Sequence, residues 1–320
     1  MLVILLAGVG GIYFVSRANP PYAQAPASAI ATTSAIASST TAGTANVAAV
    51  SSSSPVPTPI PTQAATSTVD CASLPRSEPP ANTTGITNGP ILSFNFDDGF
   101  ESSYQNALPI INGAGFPTTQ YIISGNLAKP DRVSAAQVLA MQAAGNEIGA
   151  HTRTHPYLSR IPVEQMRREI CGSRADLMKL GILTTTFAYP EGDFSPAVEQ
   201  VAAEAGFAAA RDTKGGLNND GTPRLLLHSY QVTAPTTFAQ VKNAINQAIQ
   251  YKEWLILVFH RTDDPGNSIS SSHELIQQIV DYVKQVQIPV VTNAQGLSIL
   301  PYITGTQNSI RDLSATTTSP

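Results

Sequence analysis

The sequence predicts an α/β fold, a distorted (β/α)7–8 barrel preceded by a disordered N-terminal segment. Three observations predict it. From Ile91 onward, short runs of β type alternate with stretches of helical spacing. Gly115, Gly145, Gly181 and Gly206 fall where four of those helices should stop, as helix C-termini prefer. The acids and histidines collect just after the apolar runs. Such alternation gives parallel strands with helices packed outside, and seven or eight units favour a barrel, incomplete or closed, over an open sheet.

Taken in order, residues 2–15, "LVILLAGVGGIYFV", are apolar without a break. They are short for a bilayer span, which needs about 20 residues, and suit the apolar region of a secretion signal. "YAQA" offers a small-residue cleavage site after Ala25, although no Lys or Arg precedes the apolar run. Residues 1–25 are therefore expected to be a signal peptide or a membrane anchor, and the protein to be secreted or held at the cell surface. Residues 26–69 are almost wholly Ala, Ser, Thr and Pro. Such a stretch has too few large apolar groups to offset its ordering entropy, so it reads as a disordered linker. A globular domain is expected over 70–302, and a tail over 303–320.

Within that domain the expected strands are 91–96, 118–123, 146–150, 185–189, 207–211, 255–259 and 288–292, with 225–232 as an eighth. The clearest helix is "SHELIQQIVDYVKQVQ" (272–287), whose Leu275, Ile276, Ile279, Val280, Val283 and Val286 form one stripe. Hydrophobic residues make up 42% of the 320, enough for a sizeable core, and the net charge of −4 gives no electrostatic reason to expect nucleic acid. Two cysteines, Cys71 and Cys171, cannot alone make a four-ligand zinc site; in an exported protein they could form one disulfide.

In βα barrels reactive groups gather where strands end. Asp97 and Asp98 follow the first strand, His151 and His155 of "HTRTH" the third, "AYPEGD" the fourth, Arg211 and Asp212 the fifth, and His260 the run "LILVF". Pro156 disfavours helical geometry at His155, so the two histidines are expected on a loop that curls around an ion. Two imidazoles and one carboxylate form a common ligand set for catalytic zinc. One aspartate of the pair would bind the metal and the other would act as general base. Each piece alone has a plainer reading: "DDG" as a turn, His260 as a core histidine, Arg211 as a salt-bridge partner. Their joint arrangement carries the functional one.

"FNFDDG", "HTRTH", "FAYPEGD" and "LILVFH", in this order, resemble the polysaccharide deacetylases of carbohydrate esterase family 4, over roughly residues 89–300. The resemblance implies a metal-dependent hydrolase that removes N-acetyl groups from a polysaccharide such as peptidoglycan, chitin-like polymers or poly-N-acetylglucosamine. It implies that Asp97 is the base, that Asp98, His151 and His155 hold zinc (cobalt or nickel in some members), and that His260 is the general acid. Tyr189, Pro190 and Leu257 would contact substrate, with Leu257 lining an acetyl pocket, and the Glu191 N–H would help hold the oxyanion. Where many members carry an arginine in the third motif this chain has Ala188, so Arg211 is assigned as the substitute partner of Asp97. The family's fourth motif is not recognisable. The expected partner is a polysaccharide, with the chain monomeric. Alternatives are an O-acetyl xylan esterase of the same family and a surface glycan-binding module without turnover.

Overall fold

A computed structural model of the chain describes residues 70–303. The signal or anchor expected at 1–25, the linker at 26–69 and all but the first residue of the tail expected at 303–320 lie outside the described residues. Among the described residues no helix is long and apolar enough to cross a membrane.

Seven parallel strands form one curled sheet: β1 (Ile91–Phe96), β2 (Thr118–Ile122), β3 (Glu147–Ala150), β4 (Thr186–Ala188), β5 (Ala209–Arg211), β6 (Tyr230–Gln231) and β7 (Trp254–Phe259), in the order β5-β4-β3-β2-β1-β7-β6. Between β5 and the chain leading into β6 the closure is reduced to a single bridge, Arg211 with Leu227. The expected eighth strand at 225–232 is therefore a turn at Arg224–Leu226 followed by the two residues of β6. The strand expected at 288–292 also shrinks to one bridge, Leu92 with Val290, where β2 does not reach along β1. The physical reason lies in its own residues. Pro289 has no N–H to give to a ladder, and Thr292 and Gln295 form a capping box that opens a helix at Asn293.

The helices are α1 (Leu108–Gly113), α2 (Ala135–Ala143), α3 (Val163–Lys179), α4 (Pro196–Glu204), α5 (Phe238–Tyr251), α6 (His273–Val286) and α7 (Asn293–Ile299). The predicted stripe of α6 is its buried face, with Ile276, Ile279, Val280 and Val283 fully covered, each worth about 1.5–3 kcal/mol of burial. The four glycines named above all take left-handed φ values of 81–90°.

Alternation along the strands gives the sheet two unlike faces. Leu92, Phe94 and Phe96 of β1 with Leu255, Leu257 and Phe259 of β7 pack outward under α5 and α6. Ile148 and Phe187 do the same under α3 and α4. The inward face is mixed: Ile91, Trp254, Ile256 and Val258 form an apolar cluster under α7, and polar side chains fill the rest. Asn95 and Asn293 exchange side-chain hydrogen bonds, Asn293 donates to the Tyr121 hydroxyl at 2.8 Å, and Tyr121 donates to Thr186 Oγ1 at 3.0 Å. Trp254 Nε1 donates to Ser93 Oγ at 3.0 Å. The first turn of α7 enters this interior, its Ala294 N–H donating to the Glu147 carboxylate at 2.7 Å. Burial pushes the Glu147 carboxyl up, against the hydrogen bonds of Thr186, Ala294, Thr119 and Thr292. A disulfide joins Cys71 to Cys171, tying the start of the domain to α3.

Candidate active site

β1 ends at Phe96, and its ladder runs one bond further: the Asp97 N–H donates to the Phe259 carbonyl at 2.9 Å. Asp97 continues the inward register of Ser93 and Asn95. Strand alternation would send Asp98 outward, but its φ of 70° turns it back, a conformation that Asp tolerates better than most residues. Both carboxylates therefore face the same opening.

β3 delivers His151. Its Nδ1 lies 2.8 Å from the Ala188 carbonyl oxygen. A carbonyl only accepts, so Nδ1 carries the proton and Nε2 presents its lone pair to the site. That Nε2 is 3.5 Å from Asp98 Oδ1, and the Nε2 of His155 is 3.4 Å from the same oxygen. The HTRTH residues form a loop rather than a helix, with Thr152 and His155 both left-handed at φ 62° and 65°. Asp98 Oδ1 is buried and has no hydrogen-bond partner among the described residues. The ligand atoms of Asp98, His151 and His155 all lie within 4.8 Å of one another. A carboxylate oxygen so placed beside two imidazole nitrogens is a donor set that fits a divalent cation. Burial pushes the His151 imidazole down to about 4, against the pull of Asp97, so the ring is neutral and a competent ligand at neutral pH.

Asp97 is paired with Arg211, which is wholly buried. Burial would raise the Asp97 carboxyl, but the Arg211 guanidinium, with the His151 and His260 rings, outweighs it and holds the pKa below the ordinary carboxylate value. Arg211 is itself steadied by Asn95, whose Oδ1 accepts from Nε at 3.2 Å. The β4–β5 register sets Ala188 beside Arg211, so the arginine arrives from the neighbouring strand at the level where the third motif has only a methyl group. Asp97 Oδ2, the oxygen turned from Arg211, is 3.9 Å from both His151 Nε2 and His260 Nε2. His260 Nδ1 is buried without a partner among the described residues. Glu191 is exposed, on the turn Pro190–Gly192, with φ 56°.

The structure thus brings Asp97, Asp98, His151, His155, Arg211 and His260 together and leaves two expected residues out. Leu257 is on the outward face of β7, packed with Phe94 and Phe259, so it lines no acetyl pocket. Counting back by two from His260 reaches Val258, which faces inward with Ile256 and Trp254. Tyr189 is likewise outward and buried, its ring against Phe187 and Phe194 and its hydroxyl donating to the Leu225 carbonyl at 3.1 Å. Both corrections follow from strand period two. Pro190 is buried at the start of its turn. Sequence reasoning missed Asn95, which bonds Arg211, Tyr121, whose ring lies 4.7 Å from its guanidinium, and Asn293, which bonds both Asn95 and Tyr121. The signal available was a polar residue at alternate positions of an otherwise apolar run.

Residues 84–210 match the family described as polysaccharide deacetylase. A stretch of 139 residues is 24% identical to a Bacillus subtilis protein named "Putative polysaccharide deacetylase YxkH", covering 43% of this chain and 50% of that one, so the chain spans half the length of this curated relative. Solved structures similar to the chain include a family 4 carbohydrate esterase from Streptomyces lividans in complex with acetate, at 18% identity, 63% and 92% coverage of the two chains and a TM-score of 0.44. They also include the Xyl-CE4 domain of a multidomain xylanase from the hindgut metagenome of Trinervitermes trinervoides, at 21% identity, 64% and 88% coverage and a TM-score of 0.48.

Proposed function

We propose, for a chain whose residues 84–210 match the polysaccharide deacetylase family, that it is a metal-dependent hydrolase removing N-acetyl groups from a cell-envelope or extracellular polysaccharide. The observation that carries this reading is the pair of adjacent aspartates in two different electrostatic settings. Asp98 Oδ1 stands without a hydrogen-bond partner among the described residues, beside two imidazole nitrogens, while Asp97 is held ionised by a buried arginine. A binding module without turnover has no use for the second.

Asp98, His151 and His155 would hold the cation, zinc before cobalt or nickel. Such an ion, when bound, polarises a carbonyl and lowers the pKa of its water towards about 7. Asp97 takes the proton of the attacking water on Oδ2, the oxygen its arginine leaves free. Arg211 keeps Asp97 charged and fixed for that transfer, so the base needs no reorganisation during the reaction. The Glu191 N–H is assigned as an oxyanion donor; a backbone group serves whatever its side chain, and the exposed carboxylate need not approach. His260 hands a proton to the sugar nitrogen as the C–N bond breaks. Water has added across the amide, and acetate and a free amine leave. An oxidising compartment suits the Cys71–Cys171 disulfide. That agrees with residues 1–25 as a signal or tether and with a secreted or surface-held location.

The test is acetate release from an N-acetylated chitooligosaccharide and from peptidoglycan. We expect turnover that a chelator abolishes and that added zinc or cobalt restores. Turnover unchanged by exhaustive chelation, or none on any acetylated glycan with metal present, contradicts the reading.

A further inference from the structure

The loop between the two histidines holds a shape its own residues do not favour. Thr152 and His155 are both left-handed without being glycine, a conformation that costs of order 1 kcal/mol or more each and persists only where the surroundings impose it. Part of the support is internal: the His155 N–H donates to Thr152 Oγ1 at 3.0 Å. The rest comes from α3. Glu169, buried there, accepts the Arg153 N–H at 3.0 Å and the Thr154 N–H at 2.8 Å on one carboxylate oxygen, and the Thr154 hydroxyl at 2.8 Å on the other. These are the peptide groups between the two imidazoles.

The same face of α3 is shaped to receive the loop. Residues at i, i+3 and i+7 share a helix face, and Glu169, Gly172 and Asp176 have that spacing. Asp176 accepts Arg153 Nε at 2.7 Å and Nη2 at 2.8 Å. At Gly172 an added Cβ would meet the Arg153 guanidinium carbon at 2.5 Å, so the arginine can cross α3 only where no side chain stands. The Arg153–Asp176 pair is more than a quarter exposed and correspondingly weaker. Glu169, buried and gripping backbone, carries more of the hold.

We propose that Glu169 is a positioning residue that fixes the loop so that both imidazoles reach the Asp98 oxygen. This rests on the metal site proposed above. The role is geometric, so glutamine should largely fill it: its amide oxygen can accept both backbone N–H groups, and its NH2 can donate to the Thr154 hydroxyl, which then turns to accept.

The experiment uses the whole chain, freed of metal and titrated with cobalt alone. It reads the dissociation constant and the visible absorption of bound cobalt, which reports ligand geometry. Glu169→Ala should bind about 10–100-fold more weakly, the range for outer partners of metal ligands, with a changed absorption band. Glu169→Gln should stay within about threefold of the parent with its band unchanged, and so should Glu164→Gln, an exposed acid in the first turn of the same helix. If Glu169→Ala does not fold, Thr154→Val, which removes one of the three bonds, should show a smaller loss and a shifted band. A parent that binds cobalt while Glu169→Ala, or the folded Thr154→Val in its stead, binds it equally well with the same band overturns the clamp alone. So does a Glu169→Gln protein as impaired as Glu169→Ala. A parent that takes up no cobalt overturns both the clamp and the proposed function.

Discussion

The two faces of β1 are six residues in one strand under opposite physical demands. Outward, Leu92, Phe94 and Phe96 are fully buried against the helices, in contact with Phe259 and Leu257 of the neighbouring strand. Inward, Ser93 and Asn95 are just as buried but hydrogen-bonded, and the register they set delivers Asp97 to Arg211. The outer face is held by area removed from water and is indifferent to direction. The inner face gains little net stability from each bond and a great deal of orientation. Burial therefore does two jobs on this strand: Leu92, Phe94 and Phe96, with Ile91 at its start, add stability, and Ser93 and Asn95 help aim a charge.

Phe94→Ala breaks the outer side. It should cost about 3–5 kcal/mol, as large aromatic truncations in cores do, read as a drop in the urea midpoint. Turnover per folded molecule should be unchanged; a variant that keeps full stability, or loses turnover while folded, would show that the two faces are not separable in this way.

Acid sharpens the inner side by a somewhat smaller amount. The folded pKa of His151 is pushed down to about 4 from the ordinary 6.5, so below 6.5 the unfolded chain takes up a proton that the folded one refuses. The stability this group contributes is present in full above about 6.5 and is lost as pH falls towards 4, about 3 kcal/mol in all for the metal-free protein. Asp97, whose pKa is also depressed, adds a further loss below the ordinary carboxylate range. Urea unfolding at a series of pH values in the presence of chelator measures both; a flat profile between pH 7 and 4.5 would mean that the imidazole is not buried in neutral form.

Much of this was legible in residues alone. The α6 stripe, the helix-ending glycines and the five strand ends bearing acids, histidines and an arginine followed from spacing. What escaped was facing. An apolar run such as "LILVF" announces burial on both sides without saying which residue looks where, so nothing in it corrects the acetyl-pocket role that the resemblance implies for Leu257, which points under the helices. The same holds for Tyr189, which is buried against Phe187 and Phe194. The strand expected at 288–292 yields to a competing local signal, the Thr292–Gln295 capping box, which the sequence also carries. Glu169 had no sequence signal: a glutamate in a helix is ordinary until the fold sets a loop's amides against it.

The central claim is a division of labour between neighbouring aspartates, Asp98 to hold metal and Asp97 to move a proton. Metal content by elemental analysis, measured beside deacetylation rate in Asp97→Asn and in Asp98→Asn, tests it most directly. The account predicts that Asp97→Asn keeps its metal and loses about 10²–10⁴-fold in rate, while Asp98→Asn loses both. An Asp97→Asn protein that turns over at the parent rate, or an Asp98→Asn protein that retains stoichiometric metal, would contradict it.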